Sequence, residues 1–305
     1  MKQPIKLERT PRSRIRRTIY LIAVVVVAIY LWQVGSAPWI HAAQRWPVMI
    51  ALAVLSAFGL AVQTMAFRFM TPPDERPAFD TTLAIWSISA ALSVVAPLMA
   101  GIAARTTLLI RHGMNLKACG LASLRQIWLG LEYAFLLSAL ALPLTNWEIG
   151  LTAGGICILA WAAMFALRLK ARSHRPGKIP EHFSNLIHAF SAPVPSRAHP
   201  WFVLQVLTMS AIYFFGFNGF GAEISIPQAI SISGLTVIIS LIAFLPNGIG
   251  ITDLVWIAFA KNFGITLEES IAIAIAIRLS HLLASTIVGA LMSKKLRSHK
   301  AFKSC

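Results

Sequence analysis

Carboxylates are scarce in this 305-residue sequence, where 11 Asp and Glu stand against 27 Lys and Arg. Cysteine is scarcer still. Cys119, Cys157 and Cys305 are odd in number and far apart, which gives neither a disulfide framework nor metal-ligand spacing. Charge as a whole is thin, at 12% of residues where a soluble domain carries about 25%. With 57% apolar residues, the chain has too little polar sequence to cover the surface of a globule. There is no H-E-x-x-H zinc helix, no G-x-S-x-G elbow and no Walker or dinucleotide glycine pattern. The basic stretch from Arg168 to Arg175-Pro176 is not followed by the later motifs of a membrane phosphatase. The expectation is of no enzyme, no cofactor and no bound metal.

In their place stand long apolar runs, near residues 18–34, 48–70, 81–104, 119–144, 151–168, 201–221, 228–263 and 271–293. About 20 such residues cross a bilayer core as a helix. The sequence therefore predicts an all-α, polytopic membrane helix bundle. Seven basic residues, Lys2 to Arg17, precede the first run, TIYLIAVVVVAIYLWQV. That run is longer than a signal-peptide core, and its small-residue site GSA is followed by Pro38, so it reads as an uncleaved span. The organisation expected is a basic tail (1–17), a single transmembrane domain (18–293) and a second basic tail (294–305).

The net charge of +16 is concentrated beside or between apolar runs. That placement suits cytoplasmic retention and anionic lipid headgroups rather than nucleic acid. The connectors TNWEIG (145–150) and AEISIP (222–227) carry no Lys or Arg and read as outside. The loop 169–200, with Lys170, Arg172, Arg175, Lys178 and Arg197 against Glu181, reads as inside, as do both tails. Within this loop Phe183, Leu186, Ile187 and Phe190 follow Pro180 at helical spacing, which predicts a short amphipathic helix. It lies either on the cytoplasmic leaflet or beneath the bundle.

Parity then conflicts with a scheme of full spans alone. The connector 105–118, with Arg105, Arg111 and Lys117, would fall outside. It stays inside if segment 81–104 enters and returns, breaking at Pro97 and Gly101 in APLMAG. Segment 228–263 is too long for one span and is interrupted at LPNGIGITD (245–253), and the acidic GITLEES (264–270) after it belongs outside. The prediction is about six full spans plus two re-entrant hairpins of opposite orientation, the arrangement of inverted-repeat transporters. Its alternative is a pair of ordinary spans kinked at Pro97 and Pro246.

These two breaks also carry a family resemblance. PLMAGIAAR, with Pro97, Gly101 and Arg105, and LPNGIGITD, with Pro246, Asn247, Gly248, Gly250 and Asp253, followed by Gly264 and Arg278, resemble the two signatures of the flippase-like transmembrane region of lysylphosphatidylglycerol synthases. Three positions depart from the family pattern: Asn247 replaces a glycine, Asp253 a glutamate, and Ile102 stands where the first signature has its glutamate. The resemblance implies a protein that moves an amphiphilic lipid between leaflets or holds one in the bilayer. A stand-alone member is expected, without the synthetase half, in the bacterial inner membrane with both termini cytoplasmic. The competing reading is a non-transporting subunit that presents lipid to a separate membrane enzyme or regulates it. Membrane lipids are the expected partners in both cases.

Ionisable groups inside apolar segments cost about 2.5–3.5 kcal/mol each on insertion scales, so each is a candidate site residue. Glu132 and Arg125 stand seven apart on one helical face, as an internal pair or as substrate contacts. Arg105 either meets a lipid phosphate or snorkels to the interface. Asp253 caps the helix after NGIG and is the expected partner of Arg278, with His281 one turn on. Gly248 and Gly250 are assigned to the hairpin tip. Gln63 and Arg68 have no evident partner. Arg105, Glu132, Asp253 and Arg278 are expected to line one polar seam.

Overall fold

The computed structural model of the chain describes residues 37–95, 100–145, 147–173, 194–242, 256 and 265–301. The predicted first span (18–34) and the amphipathic segment at 181–190 lie outside these residues, as do Pro97, Pro246, Asn247, Gly248, Gly250 and Asp253. Among the described residues the elements are α1 (Ala37–Gln44), α2 (Trp46–Met70), α3 (Phe79–Val95), α4 (Ala100–Arg111), α5 (Leu116–Ala141), α6 (Trp147–Ser173), α7 (His199–Gly219), α8 (Ile226–Ile242) and α9 (Leu267–Ala301), with no strand. The all-α membrane bundle predicted from the sequence is the fold observed.

Among the described residues five stretches are long and apolar enough to cross a membrane: Trp46–Met70, Leu116–Leu144, Gly150–Leu169, Ser196–Gly219 and Leu267–Met292. Each coincides with a predicted full span. They are apolar on every side, as helices solvated by lipid must be. Leu144 and Leu159, for example, are 72% and 70% exposed. Buried hydroxyls bond back into their own helices, as Thr64 does to the Leu60 carbonyl and Thr208 to that of Leu204, both at 2.7 Å. Local signals set the ends. Pro47 opens α2, and the Asn115 side chain caps α5 by accepting from the Lys117 amide at 3.0 Å. Both α4 and α7 stop at a glycine of positive φ, Gly113 (96°) and Gly221 (95°). In each case the glycine amide and the next one bond back to the last helical turn, the closure that only a residue without Cβ adopts easily.

The two predicted hairpins differ from full spans in how the chain folds back. α3 and α4 lie against one another: Ser89 Oγ donates to the Gly101 carbonyl at 2.6 Å. A Cβ on Gly101 would strike Ser93 Oγ and the Ser89 carbonyl, so glycine is required for this approach. Gly101, assigned to the tip, in fact sits in the first turn of the returning arm. In the second segment Trp256 Nε1 donates to Thr236 Oγ1 at 3.0 Å. A straight helix would hold those residues about 30 Å apart, so they do not share one straight helix.

The two segments, α3 and α8, start from opposite ends of the bundle. At one end Asn115 N donates to Glu75 Oε2 at 2.9 Å, Phe69 stacks on Trp201, and Met70, Met114 and Ala198 share a core. The connectors 71–78, 112–115 and 194–198 are thereby gathered together. At the other end Ala42, Ala222 and Ile224 pack with Ile265 and the start of α9. This sorting brings the connector 112–115 to the same end as 194–198.

Helix neighbours repeat with an exchange. α2 and α7 pack antiparallel, with Gly59 against Thr208, Gly216 near Leu52, and Gly219 against Val48. The first arm of each hairpin packs on the long helix that follows the other hairpin: α3 on α9, and α8 on α5. Small residues mark both crossings, Gly289 near Ser87 and Gly234 on Ser138, where backbones come close. The neighbours thus pair α2 with α7, α3 with α9 and α8 with α5.

Candidate functional site

Between the two cores lies a cavity of about 300 Å³. α2 contributes Ser56 and Gln63, and the first hairpin contributes Trp86, Ser89, Ser93, Ile102 and Arg105. Ile212 and Tyr213 come from α7, Thr236 and Trp256 from the second hairpin, and Arg278 and His281 from α9. Both halves of the chain therefore share it.

Two arginines in this cavity are seated on indole rings. The Arg105 guanidinium lies 4.1 Å from the Trp86 ring centre, and that of Arg278 lies 5.6 Å from Trp256. The electron-rich ring face attracts a cation and replaces part of its hydration, an effect of about 0.5–2 kcal/mol. Each indole is itself held through its N–H. Trp86 Nε1 donates to Gln63 Oε1 at 3.2 Å, and Trp256 to Thr236. Gln63, whose partner the sequence left open, receives a further bond at its carbonyl from Gln126 Nε2 at 3.3 Å. Tyr213 meets the Trp256 ring edge-on at 5.5 Å. Both tryptophans are nearly fully buried. The guanidinium planes are therefore positioned by groups that do not move independently.

Two polar atoms in the cavity wall have no hydrogen-bond partner: Arg105 Nε and the hydroxyl of Ser56, a residue 2% exposed. They are two of eight buried side-chain atoms without a partner among the described residues, and only these two belong to cavity-lining residues. Among the described lining residues there is no carboxylate.

The expected seam is therefore partly redrawn. Arg105 and Arg278 do meet in one cavity, with His281. Glu132 does not line it. Its carboxylate accepts from Arg168 Nη1 at 2.8 Å and from Trp128 Nε1 at 2.6 Å, in a buried pair that joins α5 to α6. Sequence spacing had offered Arg125 for this position, but a cross-helix partner fits better because α6 folds back antiparallel along α5. Arg125 does not line the cavity either. Arg68 also finds partners, donating to the Pro77 carbonyl at 3.2 Å beside the Phe79 ring. The proposed Asp253–Arg278 contact lies outside the described residues. Trp86, Trp256 and Ser56 were not singled out from the sequence.

Comparison with curated proteins and with solved structures returns no match. A family model does match, that of the lysylphosphatidylglycerol synthase TM region, over residues 19–289. This span takes in both hairpins and every described residue that lines the cavity. The chain is thus a multi-pass membrane protein that belongs to the lysylphosphatidylglycerol synthase TM region family.

Proposed function

We propose that the protein moves an amphiphilic lipid between bilayer leaflets, its headgroup passing through the central cavity while its tails stay in the surrounding hydrocarbon. The observation that carries this reading is the placement of two indole-seated arginines in one cavity shared by both halves of the chain. Irregular backbone at membrane depth is tolerated where it lines a polar cavity. A hairpin from each end lets such a cavity open toward either side with modest rocking of one half against the other. In this reading both hairpins are re-entrant, the membrane is the bacterial inner membrane, and the end holding 71–78, 112–115 and 194–198 faces the cytoplasm with both termini. The basic loop 169–200 then rests against anionic headgroups.

The test is leaflet exchange in vesicles reconstituted with the purified chain, followed by dithionite quenching of fluorescent lipids. Protein-dependent loss of signal from the inner leaflet, beyond that of empty vesicles, is expected. A folded sample that exchanges no lipid class would reject translocation and favour a subunit that presents lipid to a separate enzyme. Labelling of single cysteines placed at positions 75, 113 and 223 checks sidedness: the first two must share one face and the third must react from the other.

A further inference from the structure

The connector between α2 and α3 folds two more arginines onto aromatic rings, outside the cavity. The Arg68 guanidinium lies 5.9 Å from the Phe79 ring centre, and that of Arg76 lies 5.6 Å from Phe69. Each is also tied to a main-chain carbonyl. Arg68 Nε donates to Pro77 and Arg76 Nη2 to Thr71, both at 3.2 Å. Phe69 is held in turn by its stack on Trp201. We infer that these paired guanidiniums form a second site, which binds the phosphate of an anionic membrane lipid at the edge of the bundle. This assignment stands whether or not the cavity moves lipid.

Two cations fixed in one connector repel each other. The charge of Arg76 acts on Arg68 more strongly than the opposing charge of Asp80 does. Among the described residues neither arginine forms an ion pair with an acid. Glu75, next to Arg76, accepts instead from the Asn115 amide. Donors are left over as well. Arg76 Nε is buried without an acceptor, and Arg68 Nη1 meets only the Met65 sulfur, at 3.8 Å. A ring under each guanidinium covers its face and leaves the edge for a ligand in the same plane. A phosphate supplies both missing elements, since its charge offsets the repulsion and its oxygens accept from two planar forks.

The position of the pair points to a lipid as the source of that phosphate. α2 ends at Met70, where a stretch long enough to cross a membrane also ends, so Arg68 and Arg76 sit at headgroup depth. Phe69 and Trp201 add the stacked aromatic surface typical of that depth. Phe79 precedes Trp86 on α3 by two turns, which sets the pair about 10 Å along that helix from the Arg105 seat. A lipid held at this rim stands beside the cavity without occupying it.

Arginine-specific labelling of the unmodified full chain in neutral detergent tests the site directly. Phenylglyoxal modification would be read for each arginine by peptide mass spectrometry, with the exposed Arg45 at the other end of α2 as reference. Dioleoyl phosphatidic acid should slow modification of Arg68 and Arg76 about fivefold or more, from charge-assisted contacts at both edges. Dioleoylglycerol, which has the same tails and no phosphate, should protect neither. In R76Q, half-protection of Arg68 should need about tenfold more of the acid. R76K should need less than that, because it keeps the charge and loses the fork.

Protection by the acid, with or without protection by millimolar inorganic phosphate, would support a lipid site. Protection by inorganic phosphate with none by the acid would assign the pair to a soluble anion and overturn the lipid assignment. Equal labelling with and without the acid, or equal protection by dioleoylglycerol, would overturn the site itself. So would an R76Q chain that melts at lower temperature yet needs no more of the acid, because the arginine would then serve only the fold of its connector. Absence of exchange in vesicles with this protection intact would instead remove translocation and leave the rim site standing.

Discussion

Two buried arginines in this bundle are stabilised in different ways. Arg168 is matched by the Glu132 carboxylate, with Trp128 donating to the other oxygen of that acid. Arg105 is matched by an indole face, and its Nε has no partner. In the first arrangement charge meets charge and the pair ties α5 to α6 away from the cavity, although Arg168 Nε, like Arg105 Nε, has no acceptor and Phe165 lies 5.2 Å from its guanidinium. The second is open at its edge. An ion pair fixes structure, whereas a cation–π seat fixes a cation and leaves its donors available.

Breaking the ion pair should cost most. E132A leaves Arg168 buried without its anion and should destabilise the folded chain by about 3–5 kcal/mol, read as loss of folded protein on thermal or denaturant unfolding in detergent. Replacing both members together, E132M with R168M, should recover most of that loss. If the double variant is as unstable as the single one, the pair does more than neutralise itself. Next comes the α5–α8 crossing, where G234A forces a methyl group into Ser138 and the Ala134 carbonyl; a loss of about 1–3 kcal/mol is expected by the same assay. R105Q should cost less stability, about 0.5–2 kcal/mol, while lowering lipid binding. A large stability loss with binding retained would show that Arg105 is structural and erase the contrast. Smallest is Q63A, which frees the Trp86 N–H and should cost about 1 kcal/mol together with a measurable fall in lipid affinity.

Much of the architecture was legible because lipid imposes strict rules. Apolar runs of sufficient length had to be helices, and the Lys and Arg count of each connector sorted them into two groups. The breaks at APLMAG and LPNGIGITD followed from parity together with Pro and Gly. The first is where α3 folds back on α4. In the second, Thr236 and Trp256 stand equally far before and after Pro246, so the hairpin reading places them opposite one another. The site was less legible. Glu132 looked paired within its own helix because i to i+7 spacing is visible in a sequence, whereas Arg168 on the next helix depends on how far α6 slides along α5. The tryptophans read as ordinary apolar residues, because an indole's role as a cation seat appears only once the opposing arm is in place. Ser56 was silent for the same reason: one hydroxyl in an apolar span carries no pattern.

The exchange of neighbours between halves has a consequence for how the molecule is made. α3 leaves the ribosome long before α9, the helix it packs against, has been synthesised. Until then the face carrying Ser87 and Ile88 has only lipid or a chaperone to cover it, and α5 likewise waits for α8. The first half is therefore inserted early but completed late. Its final shape is set by the last helix to enter the membrane, so a chain interrupted before residue 267 would give quality-control proteases an unfinished bundle.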